Sequence, residues 1–231
     1  MKFPIAGTSN KSYAHDEKKN VERLYAIQSA AAGAVKKTAV NHYPLGEIAA
    51  GAVRGALLGC QEIGWDDPKG VAAAMTGVMR ASGEILQAMA PEQDIFLAQL
   101  SKLSGDAIGM ALELDAAPVD AAEGAVIGAM SIVDDSDGDL LGQISAVTSG
   151  LVKGAAKVAG DCVGGVARGA VKGAVGESRY LGADAAVVAY AAAKGAFTAA
   201  GEIGGDAPDQ VRAALAAPIA GVDIVLPGDT H

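Results

Sequence analysis

Aromatic residues are scarce in this sequence: they make up 4% of the 231 residues, whereas hydrophobic residues as a whole make up 51%. A core must therefore be built mostly from Ala, Val, Leu and Ile, which favours thin, closely spaced elements. Such a core buries little apolar area per residue, and each Å² contributes only about 25 cal/mol. We therefore expect contacts between subunits to add stability, and we predict a homo-oligomer.

Basic residues and cysteines are also few. Eighteen Lys and Arg stand against 27 Asp and Glu, for a net charge of −9, and this sign opposes binding to a phosphate backbone. We expect no nucleic-acid partner.

Cys60 and Cys162 form no CxxC motif and no Cys/His cluster, so we interpret both as small buried hydrophobic residues.

No long hydrophobic run is present, although the mean hydropathy is +0.28. The best candidate, 185–201, is rich in alanine and is interrupted by Lys194, which makes it a poor membrane span. The N-terminal stretch has no continuous apolar core of the kind that a secretory signal needs. We expect a cytoplasmic protein, and contact with a membrane or granule surface is possible but not favoured.

Motifs of catalysis and cofactor binding are missing too. There is no GxGxxG, GxxxxGK[ST] or GxSxG, and the nearest imitation of a phosphate loop, 33–38, lacks the glycine spacing. His15, His42 and His231 are scattered and form no HExxH or ExxH pattern. We predict no catalytic residue, no metal site and no cofactor.

Two acidic features invite a functional interpretation. The run Asp134–Asp139 resembles a calcium loop, but it fails the pattern at the first ligand and at the final glutamate. Glu84 and Glu202 occupy equivalent positions and could converge as paired carboxylates. We favour the simpler interpretation for both, a solvated turn and two solvent-facing helix ends, and leave binding at either open.

What the sequence does contain is an internal repeat. Residues 51–85 align without a gap with residues 169–203, and 14 of the 35 aligned positions are identical. A weaker copy covers 124–158. Ala and Gly raise the number of chance matches, but the pairing of Asp66 with Asp184 is not explained by that bias, so internal duplication is the better interpretation.

Each repeat unit predicts a pair of helices. Val53, Ala56, Leu57, Cys60 and Ile63 follow the i, i+3, i+4, i+7 spacing of one helical stripe. The second half of the unit repeats this spacing in Val71, Ala74, Met75, Val78 and Met79.

We therefore predict an all-α fold of about eight to ten helices, arranged as a closely packed array of antiparallel pairs. A polar N-terminal arm would cover 1–20, a single helical-repeat domain 21–217, and an extended C-terminal tail 218–231.

Several helix boundaries can be predicted from local chemistry. Asp67, Asp139 and Asp184 have the residue type preferred at a helix N-cap. The first helix is expected at 21–40, and a capping box at 120–123 predicts another helix start. Between 93 and 114 the sequence predicts one or two helices, with a possible interruption at 104–106.

Glycines inside the predicted helices are the unusual feature. An interior glycine costs a helix about 1 kcal/mol relative to alanine, so packing must offset the loss. Spaced by four, such glycines form a ridge without side chains, along which a second backbone can approach closely. The partner would be a helix of the same chain or of another copy. The candidate contact residues are Gly51, Gly55, Gly59, Gly124, Gly128, Gly165, Gly169 and Gly173.

Taken together, these features favour a non-catalytic structural or scaffold protein that self-associates through small-residue helix faces. An alternative is an amphipathic-helix protein that coats a lipid or granule surface, although such helices are usually rich in Lys, Arg and bulky anchors. A small-molecule or metal-binding enzyme with its site between repeats is the least favoured hypothesis.

Overall fold

The computed structural model describes residues 10–39, 44–90, 92–132 and 139–226, with side chains from residue 17 onward. Within these ranges the protein is all-helical and closely packed, as predicted, with nine α-helices and one short 3-10 turn at Gly160–Cys162. The α-helices are α1 Asn10–Ala39, α2 Leu45–Glu62, α3 Pro68–Met89, α4 Gln93–Glu113, α5 Pro118–Met130, α6 Leu140–Val158, α7 Val163–Leu181, α8 Ala185–Ile203 and α9 Ala207–Leu215.

Three helices begin at an aspartate cap. The Asp67 carboxylate accepts a hydrogen bond from the Gly70 N–H at 2.8 Å, at the start of α3. Asp139 accepts from the Gly142 N–H at the start of α6, and Asp184 accepts from the N–H groups of Ala186 and Val187 at the start of α8. Each side chain thus satisfies backbone donors that have no partner within the helix.

The first helix begins earlier than the sequence indicated. It starts at Asn10 rather than at Val21, and it ends at Ala39. Residues 10–20 contain neither glycine nor proline, so nothing interrupts the backbone, and the exposed side chains of 17–20 need no core to support them. The predicted polar arm 1–20 is therefore helical from Asn10 on, and residues 1–9 lie outside the described part.

Two further boundaries differ from prediction. The helix α4 runs through 104–106 without interruption. Ser104 is buried there, and its hydroxyl is satisfied by donating to the Leu100 carbonyl at 2.7 Å. The capping box at 120–123 does not form. Instead α5 begins at Pro118, a residue suited to the first helical position, and Glu123 forms an ion pair with Lys172 of α7.

The helices contact one another in two series. The odd-numbered helices α1, α3, α5, α7 and α9 each contact the next odd-numbered helix, and the even-numbered helices α2, α4, α6 and α8 do the same. Helices that follow one another in the chain also touch across the two series. We call these series the odd row and the even row. One row therefore begins at α1 and the other at α2.

The core lies between and within the rows and is built from small residues. All five residues of the predicted second stripe, from Val71 to Met79, are buried, and larger side chains such as Met75, Leu100 and Leu151 fill the remaining space. Most other buried positions are Ala and Val. Among the helices described, none is both long and apolar enough to cross a membrane.

The end of the described chain packs on this core. Ile219 and Val222 exchange backbone hydrogen bonds in a single antiparallel bridge, and Ile219 and Leu226 are buried. Residues 223–226 have no regular secondary structure. The tail is docked on the helices through Ile219 and Leu226, whereas Val225 is exposed.

Candidate functional site

The glycines of α5 bring that helix against α3. A Cβ added at Gly124 would collide with the Ala72 carbonyl oxygen, and one added at Gly128 would lie 2.5 Å from the Thr76 carbonyl oxygen. The Thr76 hydroxyl also donates to the Gly124 carbonyl at 3.0 Å. Neither glycine can be replaced without moving a backbone, so this contact depends on the missing side chains.

The glycines of α7 do the same against α5. A Cβ at Gly169 would collide with the Val119 carbonyl oxygen, and one at Gly173 would lie 2.6 Å from the Glu123 carbonyl oxygen. Gly165 is looser, since its added Cβ would meet Pro118 at an ordinary 3.5 Å. Small residues therefore set the spacing of the odd row at two successive steps.

Further close contacts involve glycines that were not among the predicted candidates. Added Cβ atoms at Gly77, Gly150 and Gly195 would collide with the carbonyl oxygens of Gln28, Ser101 and Ser145 respectively. These contacts join α3 to α1, α6 to α4, and α8 to α6. The three glycines occupy the same position in the aligned sequence units, and this coincidence is the signal that could have identified them.

In all of these contacts the glycine lies on the later helix and faces the helix two places earlier in the same row. The carbonyl belongs to α3 for Gly124, to α5 for Gly169, to α4 for Gly150 and to α6 for Gly195. The rule does not hold for every glycine, because Gly105 of α4 and Gly164 of α7 lie closest to backbone of the following helix in their row.

The three candidate glycines of α2 are different. Cβ atoms added at Gly51, Gly55 and Gly59 would meet no heavy atom within 4 Å among the described residues, and Gly51 and Gly55 are exposed. The helix α2 is the first of the even row among the described residues, and no earlier helix of that row within them covers it. The same glycine spacing that is occupied on α5 and α7 is therefore open on α2.

This open face is one wall of an apolar groove of about 510 Å³ between α1 and α2. The other wall is the side of α1 that carries Ala26, Ala30 and Ala34. Most of the lining residues are Ala and Gly, and Ile27 also lines the α1 wall. Arg23 and Ala34 mark the span along α1, which corresponds to about 16 Å at the usual helical rise.

One end of the groove contains the bulkier residues. Ile63, predicted to lie on the buried stripe of α2, instead follows the last residue of the helix and is 65% exposed. The Arg23 guanidinium lies 5.2 Å from the centre of the Trp65 ring, a cation–π contact. Arg23 is the charged residue that lines the groove.

The groove offers no reactive group. Cys60 lines it and is buried. Burial raises the pKa of its thiol, and the charges of Asp67 and Asp66 raise it further. A thiol with a raised pKa is protonated near neutrality and is a poor nucleophile or metal ligand. Cys60 is therefore a poor candidate for a nucleophile or a metal ligand in this groove.

Glu84 and Glu202 do not form a pair. Glu84 on α3 lies 2.7 Å from the Lys36 amine of α1, and Glu202 on α8 lies 2.6 Å from the Lys153 amine of α6. The two carboxylates thus belong to different rows, and each is neutralised by a lysine of the preceding helix in its row. Their equivalence in the sequence reflects a shared packing position.

The described residues add no support for a calcium loop at Asp134–Asp139 or for a metal site at the histidines. Of the run Asp134–Asp139, only Asp139 lies within the described residues, where it is a helix cap. The side chains of His15, His42 and His231 lie outside the described part. Among the residues that are described, no three His, Cys, Asp or Glu side chains form a metal-sized cluster.

One half-buried carboxylate was missed by sequence reasoning. Glu177 of α7 has a raised pKa because burial disfavours its charged form. It stands in the unit position that Gly59 holds on α2. On the occupied ridge of α7 this position is shielded, whereas on α2 it is part of the groove.

The open glycine face of α2 and the alanine face of α1 are thus the arrangement that best fits a binding site. No protein-family model matches this chain, and neither a curated protein nor a solved structure shows significant similarity to it.

Proposed function

We propose that this chain is a non-catalytic structural or scaffold protein that self-associates through small-residue helix faces, with the groove between α1 and α2 as the docking face. The observation that supports this is the open ridge of Gly51, Gly55 and Gly59. A helix with exposed glycines carries the conformational cost of glycine, and the described residues supply no contact at these three positions that would offset it. A second copy would supply that contact.

We also propose that the fold is an array of antiparallel helix pairs derived from degenerate units of 35 residues. The two rows of contacts and the matching position of Gly77, Gly150 and Gly195 support this interpretation. An aspartate also caps the second helix of each unit, one position later in 51–85 than in the other two units. In such arrays each unit contacts its neighbours, and a terminal face without a polar cap invites further stacking. The groove face of α2 is lined mostly by apolar residues, and no capping segment covers it among the residues that the structure describes.

Coating of a lipid or granule surface is the alternative that we place second. It requires helices to separate along the glycine contacts of both rows, where backbones touch directly. The scaffold hypothesis needs no such opening. An enzymatic role is supported by no group that lines the groove.

Light scattering of the purified protein tests the proposal. We expect a mass above the monomer value of 22.9 kDa for the unmodified chain and loss of the larger species for Gly55→Leu, whose side chain would fill the groove. The matched control is Gly176→Leu, because Gly176 is likewise exposed on a helix with no neighbour within 4 Å. An unchanged mass for Gly55→Leu, or a monomeric parent protein, would refute it.

A further inference from the structure

No further inference is drawn: the strongest candidate, the buried side-chain oxygen of Gln143 on α6, which has no hydrogen-bond partner among the described residues and follows the acidic run Asp134–Asp139, carries nothing because a cation site there would depend on residues 133–138, which lie outside the described part.

Discussion

At the scale of single residues, the effect of a helical glycine in this protein depends on what lies opposite it. Gly169 faces the Val119 carbonyl, whereas Gly55 faces open space. The intrinsic helix penalty is the same for both, about 1 kcal/mol relative to alanine. Only packing distinguishes them, and packing is absent from the sequence pattern, which gives all eight candidates equal weight.

The pair Gly169→Ala and Gly55→Ala tests this difference. We expect Gly169→Ala to lower the free energy of unfolding by about 1–3 kcal/mol, since overpacking forces backbones apart. Gly55→Ala should raise it by up to about 1 kcal/mol at protein concentrations where assembly is negligible. Urea unfolding measures both, and effects of the same sign would contradict the assignment of the two faces.

A second residue-scale prediction concerns Glu177. Burial raises the pKa of its carboxyl above the ordinary value of 4.5, so between 4.5 and the raised value the folded state binds more protons than the unfolded state. The free energy of unfolding attributable to this group therefore falls as pH rises through that window. Glu177→Gln should become progressively more stable than the parent over the same window. Urea unfolding from pH 4 to 7 checks this, and a stability difference independent of pH would show that the group is not desolvated.

At the scale of helices, local chemistry was sufficient for most boundaries. Asp67, Asp139 and Asp184 were predicted as caps from residue type, and each accepts a backbone N–H. Pro118 was a stronger start signal than the capping box that follows it. Burial decided the case of α4: Ser104 is fully buried, and its hydroxyl donates to the Leu100 carbonyl one turn earlier.

Removal of the cap at the start of α8 is the helix-scale prediction. Asp184→Ala should lower the free energy of unfolding by about 1 kcal/mol, because the N–H groups of Ala186 and Val187 lose their acceptor. Asp184→Asn is the matched control, since asparagine caps as well as aspartate. Equal loss in both variants would mean that charge rather than capping is responsible.

At the scale of the whole molecule, the decisive fact is the order of the rows. The sequence predicted helices and close packing, but it could not show that α2 begins a row while α5 and α7 lie inside one. That difference arises only when helices two places apart are brought together. It leaves Gly51, Gly55 and Gly59 uncovered among the described residues. Of the three helices that carry the eight candidate glycines, α2 is therefore the docking face that we propose.

Sedimentation velocity of the unmodified chain over a wide range of concentrations tests this central proposal most directly. We predict that the weight-average sedimentation coefficient rises with concentration above that of the monomer, because the α1/α2 groove of one copy binds a second copy. A single species of 22.9 kDa at every concentration would contradict it.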